Sequence, residues 1–181
     1  IGVVVGLPEE IGPVLVGSLS IDMMTFTGGV ETGERLASQV GLMKLVLELG
    51  GNDPLIVLGD ADLDAAAKLA AEGSLATAGQ SCRGIKRLIV EDSIADAFVE
   101  RLTREVQGRK YGDPFDAAND IGTLINEDAA RRVEARCVRA VKDGATLVHG
   151  GERRGALFQP TVLDRVSPTT ELVVSETFGP I

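Results

Sequence analysis

Short apolar runs alternate with longer amphipathic segments from one end of the chain to the other. Ile1–Val5 reads as a strand. Glu9–Leu19 reads as a helix with Pro8 near its start, where a missing N–H is tolerated. Met23–Thr27 is a second short strand, followed by Gly28-Gly29. Glu31–Val40 has helical spacing and Lys44–Leu47 reads as a third strand. Three strands with two intervening helices make a βαβαβ run, which favours a parallel sheet.

After Gly50-Gly51 the pattern restarts. Pro54–Leu58 is a buried strand. Asp62 caps an Ala-rich helix running to about Ala78. Gly79–Gly84 is a loop and Arg87–Val90 a strand. Ser93 caps a long helix over Ile94–Arg109. Tyr111–Thr123 is a Gly/Pro/Asp loop. Glu127–Asp143 is a further helix, stopped by Gly144. Ala145–Val148 is a strand and Gly150–Gly155 a turn. Phe158–Leu163 is a strand whose Pro160 marks an edge position or a bulge. The fold class is α/β, with the division near Gly50-Gly51.

Composition narrows the picture. The 181 residues are 44% hydrophobic and 25% charged, which suits a globular chain with a real core. Aromatics are only 3% with no Trp, so that core rests on Val, Leu, Ile and Ala. The 18 Lys and Arg against 27 Asp and Glu give a net charge of −9. An acidic surface without a basic, aromatic-interleaved stretch argues against a nucleic-acid partner. No apolar run approaches the ~18 residues of a membrane span, and no leader peptide is visible. Two cysteines without secretory signals point to free thiols and a cytoplasmic setting. Both ends are apolar, whereas termini are usually polar and loosely held, so each reads as a cut through folded structure.

Four stretches could carry chemistry. Cys82 follows a helix-ending glycine in Gly79-Gln80-Ser81-Cys82, with Arg83, Lys86 and Arg87 beyond it. Nearby cations favour the thiolate, the nucleophilic form. An inert buried thiol is the competing reading, and it holds for Cys137 inside a helix. Glu48 follows a strand and precedes Leu49-Gly50-Gly51. A carboxylate at a strand end can act as a general base, or it can be a solvated loop residue. Phe26–Gly33 is a glycine-rich strand-to-helix turn that either cradles a phosphate or is simply a tight turn. Glu176–Pro180 says little alone. The single histidine, His149, shares no ligand spacing with the cysteines, so no metal site emerges, and it supports no Ser-His-Asp set. The absence of C-x-x-C argues against a disulfide oxidoreductase.

Taken in order, these pieces resemble the aldehyde dehydrogenase superfamily. The match is F-T-G-G-x-x-x-G at Phe26–Gly33, E-L-G-G at Glu48–Gly51, G-Q-x-C at Gly79–Cys82 and E-x-F-G-P at Glu176–Pro180. The spacing from base to nucleophile, 82 − 48 = 34, also agrees. The resemblance implies that Cys82 attacks the aldehyde and Glu48 activates the water that clears the resulting thioester. It implies that Thr27, Gly28, Gly29, Leu49, Glu176 and Phe178 lie along an NAD or NADP cofactor. It assigns residues 1–49 to the last part of a Rossmann-like cofactor domain and 50–181 to a truncated catalytic domain. Phosphonoacetaldehyde, lactaldehyde and non-phosphorylating glyceraldehyde-3-phosphate dehydrogenases carry similar E-L-G-G-N-D-P and Lys86-Arg87 features, which suggests a small, anionic aldehyde. Asn52 stands where many members have Lys, and Gly29 where many have Ser. The full-length form is expected to be a homodimer or homotetramer, with further strands before Ile1 and after Ile181, and the 181 residues alone are expected to be inactive. The alternative is a non-catalytic fragment or degenerate paralogue serving as a structural or binding module.

Overall fold

A computed structural model describes residues 1–181 and divides them into two compact units, Ile1–Gly50 and Gly51–Ile181.

In the first unit, α1 (Pro8–Val16) begins on Pro8 and leads to β1 (Met23–Thr27), α2 (Val30–Ala37) and β2 (Lys44–Glu48). The strands pair in parallel, with Met23 opposite Lys44 and Thr27 opposite Glu48. Period-two alternation half-buries Met24, Phe26, Leu45 and Leu47 and exposes the residues between them. Ile1–Val5 is not the strand its composition predicts. Its backbone groups have no partner strand and Val3 and Val5 are exposed, so β-propensity alone does not form a ladder there.

The second unit opens with a βαβ run: β3 (Asp53–Val57), α3 (Leu63–Leu75) and β4 (Ile85–Val90), the strands again parallel. Asp62 caps α3, its carboxylate accepting from the N–H groups of Asp64 and Ala65 at 3.1 Å. Next come α4 (Ala95–Gln107) and α5 (Glu127–Lys142), the latter capped by Asn126, which accepts from Ala129 N at 2.8 Å. Strand β5 (Thr146–His149) pairs antiparallel with β8 (Val162–Asp164), and β6 (Arg153–Arg154) pairs with β7 (Leu157–Phe158). A short α6 (Glu171–Val174) precedes the end.

The core of this unit is built on helical spacing. Ala67, Ala70, Ala71 and Leu75 of α3 meet Phe98, Leu102 and Val106 of α4, one every fourth residue, with Val57, Ile121 and Val162 around them. Burying each large side chain contributes about 1.5–3 kcal/mol. A second cluster gathers Val133 and Cys137 of α5 with Leu124 and Phe158.

Three details differ from the sequence pattern. Ser93 caps no helix; its hydroxyl donates to Glu91 Oε1 at 2.7 Å, and α4 starts after a 3-10 turn at Asp92–Ile94. Phe158–Leu163 is two strands, because Pro160 has no N–H for a ladder and the Thr161 N–H turns to Pro180 O at 2.9 Å. Helix α3 ends at Leu75 rather than near Ala78, for a reason that shapes the site.

Candidate active site

After Leu75 the chain reverses hand. Thr77, Ala78 and Gly79 have φ of +54°, +55° and +70°. Each non-glycine residue held there costs about 1–2 kcal/mol, so the turn persists only where its surroundings fix it. Several groups do so. Gln80 N donates to Thr77 O at 3.1 Å, and the Gln80 side-chain amide donates to the same carbonyl at 3.0 Å. The Gln80 side-chain oxygen, Oε1, accepts from Ile125 N at 2.9 Å. A Cβ on Gly79 would lie 2.0 Å from Gly179 O, so the two backbones touch. The Lys86 ammonium donates to Gly79 O.

This turn delivers Ser81 and Cys82, both partly exposed, to a tight loop before β4. Gly84 N donates to Ser81 O at 3.1 Å and Arg83 N to Ser81 Oγ at 3.2 Å. The Cys82 N–H has no acceptor within the chain. Gly51 rests against Cys82: a Cβ there would lie 2.2 Å from its carbonyl oxygen. Cys137, by contrast, is buried in α5, and burial, with Glu134 adding to it, pushes its thiol above the ordinary value.

The cations that follow Cys82 divide. Arg87 is committed elsewhere, its guanidinium donating to Asn52 O at 2.9 and 2.6 Å. Arg83 is exposed. Lys86 folds back over the loop, its Nζ 5.5 Å from the centre of the Phe178 ring. Burial lowers the affinity of this amine for its proton, against the opposing pull of Glu176, Asp53 and Cys82.

The Glu176–Pro180 segment is fixed from α5. Arg136 donates to Glu176 O, to Thr177 Oγ1 at 3.0 Å and to Glu171 Oε1 at 3.1 Å. Glu176 Oε1 is buried without a hydrogen-bond partner, while the Phe178 ring is 48% exposed. Both lie on a pocket of about 220 Å³ that also takes in Gln80 and Arg136. An orphaned carboxylate oxygen beside an open aromatic face suits a ligand that brings hydroxyl donors and a flat ring, as a nicotinamide riboside does.

In the first unit, Thr27 and Glu48 end β1 and β2 side by side, and Gly28 N donates to Glu48 O at 3.0 Å. The glycine turn at Gly28-Gly29 and the Glu48 carboxyl group thus share the carboxyl edge of a parallel pair, where α/β sheets bind ligands. Glu48 is exposed, and Leu49 packs on Gly33 of α2, where a Cβ would lie 2.6 Å from Leu49 Cδ2. Within the second unit, Gly51 meets Cys82, while Gly79 and Lys86 meet Gly179 and Phe178. Sequence reasoning gave no structural role to Gln80, Lys86, Asn52 or Arg136. Their partners lie up to 121 residues away in sequence, as in Asn52 Nδ2 donating to Val173 O, and no local pattern signals that.

Fold and site define an α/β chain with two parallel and two antiparallel strand pairs, whose cysteine loop is braced against a glycine-proline segment. The aldehyde dehydrogenase family model matches residues 1–181, and the chain belongs to that family. It is 39% identical to aspartate-semialdehyde dehydrogenase 1 of Pseudomonas canavaninivorans, over 99% of this chain and 40% of that protein. It is 40% identical to the sulfoacetaldehyde dehydrogenase of Neptuniibacter caesariensis, over 89% of this chain and 35% of that protein. Among solved structures, the NADP complex of NADP-dependent glyceraldehyde-3-phosphate dehydrogenase from Bacillus halodurans C-125 superposes with a TM-score of 0.94 at 42% identity, covering 98% of this chain and 37% of that one. The chain thus spans about two fifths of the length of the curated relatives it matches. No helix is long and apolar enough to cross a membrane.

Proposed function

We propose that a full-length protein carrying this chain oxidises an aldehyde to a carboxylic acid with NAD or NADP, through a covalent adduct on Cys82. Residues 1–49 would then be the end of the cofactor domain and 50–181 part of the catalytic domain. The observation that carries the reading is the meeting of three separated motifs: Gly51 on the Cys82 carbonyl, Gly79 on Gly179, and Lys86 on both Gly79 O and the Phe178 ring.

The Cys82 thiolate attacks the carbonyl carbon, a C–S bond forms, and the π electrons move to oxygen. The Cys82 N–H, which has no acceptor within the chain, would donate to that oxyanion. A bound nicotinamide supplies the hydride acceptor. Thr27, Gly28, Gly29 and Leu49 would lie along it, and Glu176 and Phe178 would hold its ribose and ring. As the oxyanion re-forms its C=O bond, the adduct carbon would lose its hydrogen with the bonding pair to that acceptor, leaving Cys82 as a thioester. Glu48 takes a proton from water, the water oxygen attacks the acyl carbon, and the C–S bond breaks to return the thiolate. The two relatives named above take their names from aldehydes bearing a carboxylate or a sulfonate, which supports a small anionic substrate.

The test uses the full-length polypeptide. Cys82→Ala is expected to lower turnover at least about a thousandfold, as loss of a covalent nucleophile does. Glu48→Gln is expected to give one burst of reduced cofactor and then stall, with the acyl mass retained on Cys82. Undiminished turnover by Cys82→Ala ends the reading. The 181 residues alone are expected to show no turnover.

A further inference from the structure

We propose that Lys86 is a positioning residue that locks the Cys82 loop and the Glu176–Phe178 segment together through one ammonium group. The inference rests on the function proposed above and deepens it.

Lys86 is the second residue of β4, yet its side chain reaches back seven positions to Gly79 O. That carbonyl belongs to the last of the three left-handed residues, where α3 can no longer supply a donor. The same Nζ stands 5.5 Å from the Phe178 ring centre, so one cation touches both motifs. Gly84 makes room for it, since a Cβ there would come within 3.2 Å of Nζ. The titratable groups around the amine are Glu176, Asp53 and Cys82. They come from the segment near the chain's end, from the start of β3 and from the loop itself. Burial works against the ammonium, and these three groups offset that effect in part. A group held in that way is not an incidental surface lysine. Arg87, the next residue, is committed to the Asn52 carbonyl and does not stand in for it.

The experiment compares Lys86→Met, Lys86→Gln, Lys86→Arg and, as a control on the exposed face of α3, Lys68→Met in the full-length polypeptide. Three quantities are read: the rate of Cys82 alkylation by iodoacetamide followed by peptide mass, kcat, and the KM for the dinucleotide. Lys86→Met is expected to slow alkylation about tenfold or more, because small displacements of a reacting group cost that much. It is also expected to lower kcat and raise the dinucleotide KM together. Lys86→Arg, which keeps charge and donor, is expected to restore part of each. If Lys86→Met does not fold, Lys86→Gln is read in its place, with the same direction expected. Wild-type alkylation and kinetics in the folded Met or Gln variant overturn the proposal. So does a loss of thermal stability in which Arg behaves no better than Met. Turnover surviving in Cys82→Ala would instead remove the underlying reading, whatever the lysine variants do.

Discussion

Two thiols in one chain have opposite surroundings. Cys137 is 3% exposed on the inner face of α5, whereas Cys82 is partly open in a loop. A neutral alkylating reagent should therefore label Cys82 in the native chain and reach Cys137 only after denaturation. Burial raises the Cys137 thiol above the 9.0 of an unfolded chain. The unfolded form therefore ionises first, and the stability Cys137 contributes is whole below that value and lost as pH climbs through the raised one. Urea unfolding at successively alkaline pH should show wild type losing stability that Cys137→Ala does not lose. Gly79 offers a sharper test. At φ +70° with Gly179 O in the way, Gly79→Ala should cost about 2 kcal/mol or more, read as a lower denaturation midpoint. A normal midpoint in that variant would mean the two backbones are not in contact.

At the scale of elements, local chemistry sets the helix starts. Asp62→Ala and Asn126→Ala should each cost about 1 kcal/mol by chemical denaturation, because each carboxylate or amide oxygen satisfies N–H groups in a first turn. Ser93→Ala should cost less than about 0.5 kcal/mol, since no helix N–H depends on it. Equal losses at all three positions would refute the assignment of caps. The same contrast shows how far the chain's pattern can be read. The spacing of apolar residues located β1 through α5, and two of the motif glycines, Gly51 and Gly79, fell where backbones touch. Ile1–Val5 misled because strand composition carries no information about a partner. The Ala-rich run misled because Ala76–Ala78 has every local reason to remain helical, and the turn that stops it is fixed by Gln80, Lys86 and Gly179. Helix α6 is four residues long, too short to show a period. The glycines and Cys82 stood out as candidates because the residues beside them mark tight loops, with cations following the cysteine. Arg136 was not, because its roles are defined by Glu171, Glu176 and Thr177, 35 to 41 positions on.

At the scale of the whole molecule the two units are unequal. Val16 is the buried apolar side chain of Ile1–Gly50, while Gly51–Ile181 closes two clusters around α3, α4 and α5. Local stability follows buried contacts. Hydrogen exchange in this chain should therefore be fast at Met23–Thr27 and Lys44–Glu48 and slow at Ala67–Leu75, Phe98–Val106 and Val133–Ala140. Equal protection in both units would contradict that distribution. The braces of the thiol loop, from Gly51 through Thr123 and Ile125 to Gly179, all belong to the better-packed unit. A change confined to the residues before Gly51 would leave every one of these braces in place, so the two parts of such a chain are free to vary separately.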